Sequence, residues 1–315
     1  MKVAVLKGGS SLERTVSLRS GARVEDALAR LGHEVLPIDV GADLVTRLQA
    51  ERPDVAFVAL HGRGGEDGTV QELLELVGVP YTASRPGACI RCMDKVVAKH
   101  ALRDAGIPTP DFYAFSQAAF GELGAAKALP VIEERLDFPI VVKPAGQGSA
   151  LGIKFASSAA DVPNALVSAF SYDSKILLER YVPGRDLAVS IIDGPDGPQA
   201  LPVVEAIPTE EDFYDFESRY EIGRTRFVCP ADLSEELAAR AQALALATWR
   251  VLGCSGFARV DLMTDGDDLT VLEANAIPGL TDTSLLPLAA DAAGIGFDDF
   301  VARVLDLAVA RSLAP

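Results

Sequence analysis

The sequence predicts a multidomain α/β protein, and three observations carry that prediction. Continuous apolar runs at residues 3–6 and 55–60 have the character of strands buried on both faces of a parallel sheet. Between them, Val16, Ala22, Val24, Ala27, Leu28 and Leu31 recur at helical spacing until Gly32 stops the pattern. At 315 residues the chain also exceeds what one ordinary core organises, so two or three domains are expected.

The glycine-rich loops of this βαβ unit lie at the carboxyl ends of its strands, where α/β proteins bind ligands. They are Gly8-Gly9-Ser10-Ser11-Leu12-Glu13-Arg14 and His61-Gly62-Arg63-Gly64-Gly65-Glu66-Asp67-Gly68. The first is not a G-x-G-x-x-G dinucleotide fingerprint, and turn glycines alone would explain it. Glycine and proline interrupt the pattern over 84–92, where a domain boundary is expected. A helix over 94–105 follows, and then an extended connector, Gly106-Ile107-Pro108-Thr109-Pro110. Residues 139–144 form a strand carrying Lys143, which feeds the loop Ala145-Gly146-Gln147-Gly148-Ser149-Ala150-Leu151-Gly152. That loop reads either as a hairpin turn or as a nest of N–H donors for phosphate, and it lacks the Walker lysine. Another strand spans 175–182. The irregular stretch 208–233 is too long for a passive connection and reads as a functional lid. Amphipathic helices cover 237–252 and 297–313.

Composition narrows the function classes. Hydrophobic content of 49% and charged content of 23% are those of a globular protein. A net charge of −16 repels phosphate backbones and argues against a nucleic-acid partner. The start, M-K-V-A-V-L-K-G-G, is a strand running into a glycine turn, without a signal-peptide layout. No apolar run approaches the roughly 20 residues that span a membrane, so a cytoplasmic protein without a membrane partner is expected. Cys89 and Cys92 form C-x-x-C, but Cys229 and Cys254 are isolated in sequence, so the four read as small buried residues rather than a zinc site.

The segment around residues 259–284 holds the strongest chemical signal. Asp261 lies on one expected strand, and Glu273 and Asn275 lie two apart on the next, hence on one face of it. Three oxygen donors without histidine or cysteine suit Mg²⁺, which completes its shell with substrate phosphates. The rival reading is a solvated polar edge of a hairpin, and these residues by themselves leave both open.

Taken in order, G-G-S-S-L-E-R, H-G-R-G-G-E-D-G, M-D-K, V-K-P-A-x-x-G-S-A-L-G-I, F-Y-D-F-E-S-R-Y, R-V-D and E-A-N-x-x-P-G-L-T-x-x-S-L resemble the D-alanine–D-alanine ligases of the ATP-grasp superfamily. The resemblance implies an ATP-grasp fold of three α/β domains, with ATP between the antiparallel sheets of the central and C-terminal domains. The corresponding divisions here are 1–88 (Rossmann-like), 89–180 (central) and 181–315 (C-terminal). It implies phosphorylation of one D-alanine by ATP with Mg²⁺ (or Mn²⁺), then attack by the amine of a second, for peptidoglycan precursor synthesis. By the same resemblance Lys95, Lys143 and Ser149 bind phosphates, and Asp261, Glu273 and Asn275 hold the metal. Arg259 and the backbone of Gly279 face the oxyanion. Glu13 holds the ammonium of the first D-alanine and is linked through Ser149 to Tyr220; Ser284 binds the carboxylate of the second, and His61 lies near both. Glu179, Tyr181 and Val182 pass the adenine, and Asp186 the ribose. A homodimer acting on small molecules is expected.

Two positions depart from the family pattern. Ala150 stands where a second serine is usual, and Arg219 stands where a lysine usually reaches the terminal phosphate and the second substrate. Arginine keeps the charge but not the shape of a lysine, so rate or second-substrate preference could differ. An amine nucleophile is expected over a hydroxy acid. The alternatives are a ligase with another second substrate, such as D-serine or D-lactate, and a non-catalytic nucleotide-binding module.

Overall fold

The structure is a computed structural model and describes residues 1–208 and 225–312. Arg219 and Tyr220 lie outside the described residues. The first strands and helices are β1 (Lys2–Lys7), α1 (Arg14–Arg30), β2 (Glu34–Asp39), α2 (Leu44–Glu51) and β3 (Val55–Val58). They wind into a parallel sheet of order β2-β1-β3. Val3 to Leu6 and Val55 to Val58 are fully buried, as continuous apolar runs require.

Helices α3 (Thr69–Val77), α4 (Pro86–Met93) and α5 (Lys95–Asp104) follow. Asp94 starts α5 by accepting hydrogen bonds from the Val96 and Val97 amides, so the helix expected over 94–105 has its first residue as the cap. Beyond them lie β4 (Phe112–Ser116), α6 (Gln117–Glu122), α7 (Leu129–Leu136), β5 (Ile140–Pro144), β6 (Lys154–Ala156), α8 (Val162–Phe170) and β7 (Lys175–Arg180). The four strands pair antiparallel in the order β4-β7-β5-β6 over a small core of their own, centred on Ile140, Val142, Ile176 and Leu178. The strand expected over 175–182 stops at Arg180, just before the Val182-Pro183 pair, where proline removes a ladder donor.

The remaining described elements are β8 (Arg185–Ile192), β9 (Gln199–Ala200), β10 (Val204–Pro208), β11 (Thr225–Val228), α9 (Glu235–Leu252), β12 (Phe257–Asp265), β13 (Asp268–Asn275), α10 (Leu285–Ala292) and α11 (Phe297–Ser312). They build an antiparallel sheet of order β11-β10-β8-β12-β13, with β9 on β8. The stretch expected to be irregular over 208–233 therefore includes a strand: β11 pairs with β10 from Glu205↔Val228 to Pro208↔Thr225. The β-forming Thr225, Phe227 and Val228 and their antiparallel pairing with β10 make that strand.

The parallel sheet and the large antiparallel sheet share one continuous core, to which Cys89, Cys92, Ala98, Leu102 and Ile107 also contribute. Cys254, isolated in sequence, belongs to that core too, with its Sγ 3.6 Å from Cys92 Sγ. The fold and not the spacing brings those thiols together. Phe300 on α11 anchors this core, fully buried with its ring edge-on to Phe257 at 5.5 Å between centroids. Phe300→Ala is expected to destabilise the protein by about 3–5 kcal/mol, seen as a lower urea midpoint of its first unfolding transition.

Candidate active site

The hairpin of β12 and β13 sets Arg259 opposite Asn275 and Asp261 opposite Glu273. Directly opposed residues in an antiparallel pair stand close enough to share one ligand or one partner. Arg259 grips Asp261 with both arms of its fork, Nε to Oδ1 at 2.6 Å and Nη2 to Oδ2 at 2.8 Å. Asn275 Nδ2 donates to the same Oδ2 at 3.2 Å. The Asp261 and Glu273 side chains are only 14% and 16% exposed, which removes the reading as a solvated hairpin edge. Lys95, also buried, lies 3.1 Å from Glu273 Oε2 and donates to the Gln147 carbonyl at 2.6 Å.

Beside the hairpin is a cleft lined by Glu13, His61, Ser149, Arg259, Gly279 and Ser284. Residues from five separate loops and strands thus meet in one place. Glu13 occupies the N-cap position of α1 but makes no capping bond. Its side chain turns instead towards Gly148 and Ser149, and a β-carbon at residue 148 would sit 2.9 Å from its Oε1. Burial, then the charge of Glu66, pushes the Glu13 carboxyl up to about 7, against a hydrogen bond from Ser149 and the charges of His61 and Lys95. Its buried Oε1 has no hydrogen-bond partner among the described residues. A buried acceptor of this kind calls for a cationic donor.

His61 is buried, with Nδ1 3.2 Å from the Ile277 carbonyl and 3.3 Å from Glu66 Oε1, while Nε2 lies 2.8 Å from Ser20 Oγ. Two acceptors at Nδ1 place a proton there, and the Ser20 hydroxyl pairs with Nε2. His61 does not cap the next helix, because Gly68 holds that position in α3. Ser284 precedes α10, and its Oγ accepts from the Thr281 amide at 3.0 Å and pairs with Thr281 Oγ1 at 2.8 Å. A β-carbon at Gly279 would stand 2.8 Å from that Oγ, so only glycine keeps the 279 backbone open here.

Lys143 does not stand alone on its strand. Its Nζ meets Glu179 Oε1 at 2.7 Å, and Lys99 Nζ meets Glu179 Oε2 at 2.6 Å. Burial would raise the Glu179 carboxyl, but Lys143 and Lys99 together hold it below its ordinary value. Burial pulls Lys99 down to about 8 in spite of Glu179. Tyr181 follows β7 with its ring 5.8 Å from Phe155, and Asp186 lies on β8 in register with Ala206 and Met263. Tyr181, Val182 and Asp186 do not line the cleft that holds Glu13.

Two family profiles match the chain, one described as the D-ala D-ala ligase C-terminus over residues 101–306 and the other as its N-terminus over 42–84. The D-alanine–D-alanine ligase of Moorella thermoacetica is 42% identical over 310 residues, covering 98% of this chain and 99% of its own. The chain belongs to the D-alanine–D-alanine ligase family. That of Synechococcus sp. (strain JA-3-3Ab) is 44% identical, covering 99% of this chain and 95% of its own. The Bacillus anthracis D-alanine–D-alanine ligase, solved in complex with ATP, superposes with a TM-score of 0.83 at 32% identity, covering 99% of this chain and 98% of that one.

Within this ligase family fold, the loop at 145–153 joins β5 to β6, so it is a hairpin connection and also lines the cleft. Ser149 and Ala150 both adopt left-handed backbone, at φ +52° and +59°. Non-glycine residues there store local strain, which such loops tolerate where they meet ligands. The donor set of Asp261, Glu273 and Asn275 fits Mg²⁺, because all three offer hard oxygens and Asp261 Oδ1 keeps a lone pair beyond its bond from Arg259. Lys99, Glu66 and Ser20 carry roles that sequence reasoning missed. Lys99 lies four residues after Lys95 on one face of α5 beside buried Ala98 and Leu102, a signal that could have marked it as internal.

The raised Glu13 carboxyl has a pH consequence. The folded protein holds a proton at Glu13 that the unfolded chain, with its ordinary value of 4.5, releases. Ionised Glu13 therefore weakens the ligand-free fold: the penalty is absent below about pH 4.5, grows towards pH 7 and is complete above it. Glu13→Gln is expected to stabilise the ligand-free protein at pH 8 by roughly 2–4 kcal/mol, with no gain near pH 4. Chemical denaturation at the two pH values measures this, and an equal gain at both would contradict it.

Proposed function

We propose that this cleft joins two D-alanines into D-alanyl-D-alanine with consumption of ATP, as a step in supplying peptidoglycan precursors. The observation that carries the reading is convergence. Glu13, Ser149, Arg259, Gly279 and Ser284 face one cleft, beside Lys95 and the Asp261–Glu273–Asn275 donor set.

A carboxylate is a poor electrophile, so the carboxylate of the first D-alanine accepts the terminal phosphoryl group of ATP and gains a leaving group. The second D-alanine's amine then attacks the acyl carbon, loses a proton, and phosphate departs from the tetrahedral intermediate. Each residue answers a charge in that sequence. Glu13, ionised, receives the first ammonium through its unpartnered Oε1. Lys95 and Lys143 take phosphate oxygens, as point charges suited to a moving phosphoryl group. Asp261, Glu273 and Asn275 hold Mg²⁺, which when bound neutralises charge on the phosphate oxygens. Arg259 and the Gly279 amide stabilise the oxyanion. Ser284 and the start of α10, where unpaired N–H groups gather, take the second carboxylate. His61 orients the cleft wall by tying Ser20 and the Ile277 carbonyl to one ring.

Glu179, Tyr181 and Val182 border the adenine and Asp186 the ribose, while Arg219 takes the family lysine's part towards the terminal phosphate and second substrate and Tyr220 is the partner of Ser149 and Glu13. The reading of the chain as parts 1–88, 89–180 and 181–315 is supported by one sheet falling in each. A cytoplasmic homodimer is proposed on the habit of the family, and sedimentation equilibrium returning the mass of a single chain would overturn the dimer.

With ATP and Mg²⁺ and a panel of D-amino and D-hydroxy acids, phosphate release is expected with D-alanine as both substrates. Turnover only with another second substrate would replace this assignment. Arg259→Met is expected to lower kcat by about 10²–10³. Unchanged turnover in that variant would remove Arg259 from the oxyanion site.

A further inference from the structure

Behind the phosphate-binding lysine lies a buried group of three charges that the reaction as described does not use in full. Glu179 is 2% exposed, Lys143 5% and Lys99 1%. Val141 pairs with Glu179 across β5 and β7, so Lys143 stands two residues on along the same face and reaches Glu179 Oε1 at 2.7 Å. Lys99 arrives from α5 on the other side and reaches Oε2 at 2.6 Å. Its surroundings also include the Thr109 hydroxyl, which accepts from it at 2.8 Å, the Phe112 ring at 5.6 Å, and Glu273, whose charge also acts on it.

Two ammonium groups share one carboxylate, so the group holds one positive charge more than it neutralises. A net buried charge is unfavourable unless an anion sits close by. The phosphates of ATP are such an anion, and only Lys143 is placed on the strand that leads into the phosphate loop. Neither lysine lines the cleft of Glu13 or the pocket around Lys95 and Glu273, and Lys99 is the more enclosed of the two. When Lys143 turns its donors to phosphate, Glu179 would be left as a bare carboxylate beside polyphosphate, were Lys99 not bound to its second oxygen.

We propose that Lys99 is a positioning residue for nucleotide binding: it is the standing counterion of Glu179, and it thereby frees Lys143 for the ATP phosphates. The inference rests on the reading of Lys143 as a phosphate ligand. The burial that draws Lys99 down to about 8 shows how enclosed this ammonium is, and its pairing with Glu179 keeps it charged near neutral pH.

The test is the affinity for MgATP without D-alanine, measured by titration calorimetry on the full chain. Lys99→Met is expected to weaken MgATP binding by about tenfold or more, because the lost pair is charge-assisted and buried. In steady state the loss should appear in KM for ATP, with KM for D-alanine unchanged. Lys99→Arg keeps a counterion beside Glu179, and is expected to keep most of the MgATP affinity. Unchanged MgATP affinity in Lys99→Met overturns the proposal. So does a Lys99→Arg variant as weak as Lys99→Met, since the charge beside Glu179 would then not be what matters. If Lys99→Met does not fold, Lys99→Gln, which keeps a donor but not the charge, decides: a loss of about tenfold in MgATP affinity supports the proposal, and affinity within a few-fold of the parent refutes it. Lys143→Met separates the two layers. If that variant binds MgATP normally, the phosphate role of Lys143 fails; if it binds weakly while Lys99→Met binds normally, only the role of Lys99 fails.

Discussion

The register of β12 on β13 is the constraint on which the rest of the site depends. Pairing Asp261 with Glu273, and Arg259 with Asn275, puts a cation, two carboxylates and an amide on neighbouring positions of one sheet. A slip of one residue would send each of these side chains to the opposite face. Continuing from Asn275, the chain passes Ile277, Pro278 and Gly279 into the cleft and arrives at Ser284 at the head of α10. One hairpin and its exit thus supply the metal donors, the oxyanion donors and the second-substrate end.

The other half of the site is brought to that hairpin by burial. The parallel sheet shares a continuous core with the large antiparallel sheet, so the loops after β1 and β3 are carried rigidly against the hairpin. Glu13 and His61 reach the cleft for that reason. The central sheet has its own small core, and it meets the rest through a small apolar cluster of Phe112, Leu177 and Val96 and through polar pairs such as Lys95 with Gln147 and Arg63 with Asp173. A continuous apolar core therefore sets the acceptor side, while a small apolar patch with charged and hydrogen-bonded contacts joins the phosphate side to it. Such contacts are weaker and more adaptable than a shared core, which suits a nucleotide site that must admit and release its ligand.

Charge economy links the two halves. Each lysine near the site meets a carboxylate: Lys95 meets Glu273, and Lys143 and Lys99 meet Glu179. Asp261 is held by Arg259. Glu13 differs, because Glu66 lies near it and no cation touches its Oε1. The fold maintains that one raised carboxyl at the place where an ammonium ligand has to be recognised. This is the pattern expected when binding a ligand relieves an electrostatic cost built into the free protein.

Much of this was legible in the chain itself. Apolar periodicity marked β1, β3, α1, α5, β5, α9 and α11, because alternation and helical spacing are local consequences of which face is buried. The order of motifs pointed to the ligase family, and the Asp261, Glu273 and Asn275 spacing pointed to one side of a hairpin. What was not legible depended on partners distant in sequence. Strand β11 exists by pairing with β10, and Cys254 reaches Cys92 only through the shared core. Lys99 looked like any lysine on a helix until β7 delivered Glu179 to it across 80 residues of chain. Sequence by itself determined residue chemistry, local periodicity and family. Tertiary structure alone decided which charges are buried together, because pairing and desolvation depend on distances between segments that no local pattern encodes.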